Sequence, residues 1–281
     1  MSTPRVSVVI RAKNEAPSIG RTLDLLASQT VAADTQIIVV DSGSTDGTVD
    51  IVRGRAGVEL IEIPAASFTY GGSLNTGAER AAAPIVVALS AHSFPKDDGW
   101  LARMLDAMAD ENVACASGQG IDAHGRPIDG IVRQDLSLAH AHPFWGYSSH
   151  AGGFRADLWR EYPFRTDMGA NEDKEWCWHW LARGRVAALG PGLTVDHSHG
   201  RDPLREQYDR SLREWEWAGE YTDVEPQTPL GVIREWWTDL EKYPNHRRAR
   251  LAPRRFARLA GAYRGRRAAH RRAQARRAGV S

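Results

Sequence analysis

The 281-residue chain has only two cysteines, Cys115 and Cys177, which form neither a CxxC motif nor a disulfide framework. Such usage leads us to expect reduced thiols and a cytoplasmic location. No apolar run reaches membrane-spanning length, and the opening "MSTPRVSVVI" lacks the long apolar stretch of a signal peptide. HExxH is absent, and around Ser148 the G-x-S-x-G pattern fails because His150 follows. "DSGSTDGT" is no EF-hand loop, since Gly43 and Thr45 fall at ligand positions. From His246 to Ser281 there is no acid, against 13 arginines. The overall charge of +1 less those 13 leaves −12 upstream. A basic end of that kind suits an anionic membrane surface, an acidic partner or nucleic acid. The plainer reading is a solvated, partly disordered terminus.

What is present is alternation. "VSVVI", "QIIVV", "VELIEI" and "IVVALS" are short β-branched runs of the kind that form strands buried on both faces. Between and after them lie helical stretches: "PSIGRTLDLLASQ", "TDGTVDIVRGR", "SLNTGAERAAA" and "DDGWLARMLDAMAD". Strands alternating with helices imply right-handed βαβ units and a parallel sheet covered on both faces. Ligands of such a sheet bind outside the carboxyl ends of its strands. The residues there are Arg11 to Glu15, Asp41 to Gly47, and Ser90-Ala91-His92. Ser44 and Thr45 are expected to cap the helix after the second strand.

Further on, "NEDKEWCWHWLARG" reads as a helix start, with Asn171 a candidate cap and Glu172 and Asp173 in the first turn. Trp176, Cys177 and Trp180 would pack that helix on the sheet. Tryptophans favour the second half of the chain, and Trp145 is the best candidate to stack on a sugar. Gly152 and Gly153 would let backbone approach such a ligand closely. Beyond Arg201 three helices are expected. The last carries Leu251, Phe256, Leu259 and Tyr263 among its arginines, a weakly amphipathic basic pattern suited to lipid headgroups. No nucleic-acid recognition motif accompanies that charge.

"SVVIRAKNEAPSIGRTLDLLASQT" followed by "IIVVDSGSTDGT" resembles the start of the family 2 glycosyltransferases. "FTYGGSLNTGAERAAAPIVVALSAHSFPKDDGWL", "ANEDKEWCWHWLARG" and "VDHSH" extend the likeness, in its rhamnosyltransferase-like branch, to roughly Val6–His199. The resemblance implies an α/β, Rossmann-like glycosyltransferase A fold over residues 1–200, with a helical, arginine-rich extension over 201–281. It implies an inverting transfer from a nucleotide-diphosphate sugar, UDP- or dTDP-linked, to a glycan, lipid-linked or small-molecule acceptor. Asp173 matches the catalytic base, with Glu172 an acceptor-side carboxylate. Asn14, Glu15, Asp41, Ser44, Asn75 and Ser90 fall around the donor. His92 matches the position holding a divalent metal, Mn²⁺ or Mg²⁺, with His197 or His199 completing the site.

Two positions depart from the family pattern. Gly72-Ser73 stands before Leu74-Asn75 where relatives often carry an arginine, and Ser90-Ala91-His92 replaces Asp-x-Asp. A metal-free alternative has protonated His92 touching the diphosphate directly. The rival class is a non-catalytic nucleotide-sugar binding protein. A nucleotidyltransferase would want a glycine-rich phosphate loop that "RAKNEAPSIG" does not supply. A peripheral location at the inner membrane surface is expected from the basic tail.

Overall fold

The computed structural model describes residues 3–197, 203–241 and 245–277. Its strands are β1 (Val6–Ala12), β2 (Thr35–Asp41), β3 (Val58–Glu62), β4 (Ile85–Ser90), β5 (Phe94–Pro95), β6 (Val113–Gly118), β7 (Val132–Gln134), β8 (Ala151–Arg155), β9 (Val186–Gly190) and β10 (Val195–Asp196). Its helices are α1 (Ala16–Ala27), α2 (Thr48–Arg53), α3 (Tyr70–Glu79), α4 (Trp100–Ala107), α5 (Leu136–Ala141), α6 (Ala156–Glu161), α7 (Glu172–Leu181), α8 (Leu204–Ala218), α9 (Pro229–Glu241) and α10 (Asn245–Arg277). The chain divides into two compact units, Met1–Met168 with Glu172–His197, and Gly169–Asn171 with Ser198–Ser281.

The first unit is built on a sheet of order β3-β2-β1-β4-β8-β6-β9-β7. β1 pairs in parallel with β2 and β4, and β2 with β3, as the alternation predicts. The other half is mixed, which corrects the expectation of a parallel sheet. β8 runs antiparallel between β4 and β6, and β7 is antiparallel to β9. The segment leading into β8 therefore lies beside the carboxyl end of β4, where Ser90 N–H donates to the His150 carbonyl at 2.8 Å.

Burial explains the β-branched runs. Val6, Val8 and Ile10 of β1, and Val87 and Leu89 of β4, sit in one core with Ile19, Leu23, Leu26 of α1 and Trp100, Leu101, Met104 of α4. Each large side chain removed from water in this way contributes roughly 1.5–3 kcal/mol. Trp100 is fully buried, and its Nε1–H donates to the Leu193 carbonyl at 2.9 Å, so its polar edge is satisfied. Trp176, Cys177 and Trp180 are buried on α7, as their spacing suggested. Gly152 and Gly153 lie within β8, opposite Ala88 and Val87 of β4. A Cβ at Gly152 would come 2.5 Å from the Ser148 carbonyl and 2.6 Å from the Tyr147 ring. These glycines admit the protein's own packing, not a sugar, which corrects that expectation.

The second unit holds α8, α9 and α10. Its arginine-rich segment is a 33-residue helix with Pro253 inside it, packed on α8 and α9, not a disordered end. At Gly261 and Gly265 an added Cβ would overlap the backbone carbonyls of Tyr208 and Leu212, so α8 and α10 approach closely. Among the described residues no helix is long and apolar enough to cross a membrane.

Candidate active site

The loop after β2 closes on itself. Asp41, 1% exposed, accepts from the N–H groups of Gly43 at 3.0 Å and Ser44 at 2.8 Å, and from the Ser44 hydroxyl. Gly43 takes φ +82°, the left-handed region that glycine tolerates best. Ser44 and Thr45 do not cap α2. The N-cap is Gly47, and Asp46 Oδ1 instead accepts from the Thr48 N–H at 3.1 Å and its hydroxyl at 2.5 Å. The short Asp side chain reaches the first turn from outside the helix, a role Ser44 loses by bonding Asp41.

Asn14 ties the β1 loop to this one. Its N–H donates to Ser44 Oγ at 2.8 Å and its Oδ1 accepts from the Thr45 N–H at 2.8 Å. Its φ of 55° is one that asparagine adopts more readily than most residues. Glu15 follows, with its N–H on Thr48 Oγ1 at 2.8 Å and its carboxylate 2.7 Å from His92 Nδ1. Glu15 thus links the β2 loop to the histidine just past β4.

Three imidazoles gather there. His92 stacks on His197 with centroids 4.7 Å apart, and His150 lies 4.7 Å from His197 on a tilted plane. Nδ1 of His197 is 2.8 Å from Ser93 Oγ, and Nδ1 of His150 is 2.9 Å from Ser148 Oγ. Oriented Nδ1 atoms are characteristic of metal-binding histidines, whose other nitrogen faces the ion. Among the described residues, no group of three or more His, Cys, Asp or Glu side chains is arranged to hold a metal. Were a divalent ion bound here, His92 and His197 would be the imidazoles available to hold it. His199 lies outside the described residues.

The carboxylates of α7 adjoin the same edge. Ser149 N–H donates to Asp173 Oδ2 at 2.8 Å. Arg11, near the end of β1, donates to Ser149 Oγ at 3.2 Å and to Glu172 Oε1 at 3.4 Å, with its guanidinium 5.6 Å from the Tyr70 ring centroid. Glu172 is 4% exposed, and burial, then the neighbouring Asp173 charge, raise its pKa from 4.5 to about 7, against the opposing pull of Arg11. Asn171 does not cap α7: its φ is 63°, and its amide nitrogen donates to the Glu214 carbonyl. That φ departs from the extended backbone from which an asparagine side chain usually reaches the first helical turn.

Three sets of contacts therefore line the carboxyl ends of β1, β2 and β4. Asn14 is joined with Ser44 and Asp41. Glu15 is joined with His92 and, through ring contacts and the Ser90–His150 hydrogen bond, with His197 and Ser90. Glu172 and Asp173 are joined through Arg11 and Ser149. Asn75 is engaged elsewhere, accepting from Trp159 Nε1 and the Phe164 N–H and donating to the Phe164 carbonyl. Trp145 is half-buried, with Nε1–H donating 2.8 Å to the Ile121 carbonyl. Sequence reasoning passed over Ser149 and His150. Their only signal was a polar "YSSH" stretch beside two glycines.

A mixed sheet in this order, with polar loops past β1, β2 and β4 and the α7 carboxylates beside them, is the arrangement of the glycosyltransferase A fold. The family model for glycosyl transferase family 2 matches residues 7–168, more than half of the chain, and the protein belongs to that family. Glycosyltransferase AglE of Haloferax volcanii is 32% identical over 130 residues, 45% of this chain and 40% of that protein. The O-antigen chain rhamnosyltransferase RfbN of Salmonella typhimurium is 24% identical over 223 residues, 73% of this chain and 70% of the relative. Among solved structures, the mannosyltransferase PcManGT of Pyrobaculum calidifontis, in complex with GDP-Man and Mn²⁺, aligns over 98% of this chain and 76% of its own. Its TM-score is 0.61 at 23% identity. The glycosyltransferase A fold follows from this membership, and the chain spans less than half the length of AglE.

Proposed function

We propose that the protein transfers a sugar, with inversion, from a UDP- or dTDP-linked donor to an acceptor hydroxyl, with catalysis in residues 1–200. The observation that carries the reading is Asp173, held by the Ser149 N–H on the edge that also bears Asp41, Glu15 and His92. Inverting transfer needs one carboxylate to take the acceptor proton as the hydroxyl attacks the anomeric carbon opposite the departing diphosphate. Asp173 has that role. Neighbouring Glu172 is the acceptor-side carboxylate, and Arg11 and Ser149 hold the pair in place.

In the same reading Asp41 and Ser44 shape the nucleoside pocket, with Asn14, Glu15 and Ser90 on the donor side, while Asn75, its amide committed to Trp159 and Phe164, does not serve the donor. His92, with His197 or His199, holds a divalent ion, Mn²⁺ in preference to Mg²⁺ because imidazole suits transition metals. When bound, that ion offsets negative charge on the leaving diphosphate. Support comes from the Mn²⁺ and GDP-mannose in the PcManGT complex. The acceptor is a glycan, a lipid-linked glycan or a small molecule, and the 201–281 extension brings the enzyme to an anionic, inner membrane surface.

The decisive experiment assays Asp173→Asn with the best donor from a thermal-shift screen over nucleotide sugars. Donor binding should persist while kcat falls roughly a hundredfold to ten-thousandfold. Turnover near that of the parent would remove Asp173 from the mechanism, and an α-linked product from an α-linked donor would refute inversion.

A further inference from the structure

The second unit contains two adjoining concavities that the sugar-transfer site does not use. One, of about 560 Å³, lies among α8, α9 and α10 and is lined by Arg234, Arg255, Arg258 and Arg266, with Glu235 and Asp239 as its acids. Four cations against two acids leave an excess of two positive charges. Arg255 is paired with Asp239 at 3.0 Å, and Glu235 accepts from the Gln227 amide at 2.6 Å. The guanidiniums of Arg234 and Arg258 make no hydrogen bond or ion pair with any described residue. Arg266 is clamped over the Trp215 ring, 3.7 Å from its centroid, and its Nε–H is buried without a hydrogen-bond partner. A buried charged donor left unsatisfied is costly, and a stacked guanidinium presents a rigid fork suited to phosphate oxygens.

The other concavity, about 410 Å³, is apolar and lined by Tyr208, Val232, Ile233, Phe256 and Tyr263. Ile233 and Arg234 are consecutive in α9, as Arg255 and Phe256 are in α10, and each pair puts one residue in the groove and one in the cavity. The two sites share helix walls. Along α9, Leu230, Ile233 and Trp237 recur at three and four residues and are 75%, 54% and 60% exposed. An exposed aromatic and aliphatic stripe beside unpaired arginines is the pattern of an interfacial membrane helix.

We propose that the arginine cavity binds the phosphate of an anionic phospholipid while the groove and the α9 stripe enter the acyl layer, making the second unit a membrane-docking module. The proposal rests on the membrane contact already assigned to the extension and locates it. It is independent of the chemistry given to Asp173.

The test uses the full chain, sedimented with vesicles of phosphatidylcholine alone or mixed with phosphatidylglycerol. Binding should favour the anionic vesicles by about tenfold or more, and Arg234→Gln/Arg258→Gln should weaken it by about tenfold. Ile233→Ser/Trp237→Ser should weaken it by a similar factor, with the melting temperature of both variants unchanged. Equal binding to both vesicle types, or variants that bind like the parent, would overturn the proposal. So would stabilisation by inorganic phosphate without vesicle binding, which would assign the cavity to a soluble phosphorylated ligand. A concentration-dependent dimer lost in Ile233→Ser/Trp237→Ser, again without vesicle binding, would give the face to a second copy of the chain. Donor hydrolysis without vesicles should be unaltered in both variants. A chain that docks on vesicles but never hydrolyses donor would count against the transferase reading and leave this one standing.

Discussion

Glu172 is a carboxyl group whose burial works against its charge. Its raised pKa, about 7, means that folded protein holds a proton there after the unfolded chain has released it near 4.5. The stability this provides is fully present below pH 4.5 and is lost as pH rises through 7. Glu172→Gln should flatten the dependence of melting temperature on pH between about 5 and 8. An equally steep decline in the variant would show that Glu172 is not the group responsible. Removing Arg11, whose charge opposes the rise, should move the wild-type decline to higher pH, since the protonated form then gains further. At the histidine cluster, His92→Ala should abolish most activity, and Mn²⁺ should restore chelator-treated wild type. Full activity in excess chelator would sink the metal role, and an active His92→Ala would sink direct contact with the diphosphate as well.

Among elements, α3 shows how tightly the sheet is covered. Gly77 sits over β1 and β2, where an added Cβ would overlap the Val9 side chain and approach Val40 Cγ2 to 3.2 Å. Gly77→Ala therefore overpacks a core whose sheet neighbours cannot retreat, at a cost of about 1–3 kcal/mol. A melting temperature within error of the parent would show that α3 can shift outward. In the second unit, Gly265→Leu should force α10 away from α8 through the Leu212 carbonyl. Limited proteolysis should then cut α8 and α10 while leaving the sheet unit intact. Unchanged protection of both helices would mean that their close approach is dispensable.

For the whole molecule, the relevant contrast is between a solvated basic tail and a packed helix. Because α10 covers α8 and contacts α9, deleting residues 247–281 exposes surface that a disordered tail would never have covered. The truncated chain should aggregate above low concentration, yet retain donor hydrolysis in its soluble fraction. A fully soluble, monodisperse truncation would favour the solvated-tail reading instead.

Local chemistry made the sheet's first half and most candidate residues legible. β-branched runs such as "QIIVV" are recognisable because burial on both faces demands them, and the polar loops that follow mark the ligand edge wherever parallel strands end. The sequence also placed Glu172 and Asp173 in one helical turn. It could not show that β8 would enter antiparallel between β4 and β6, because pairing of strands distant in sequence is set by the packing of the whole sheet. That insertion brings Ser149 to Arg11 and Asp173, and His150 to His197. The buried state of Glu172, and hence its proton, exists only once α7 is seated. In the second unit, composition displayed the arginines. Only the folded helices decided which of them are paired, which line a cavity, and which apolar side chains beside them stay uncovered.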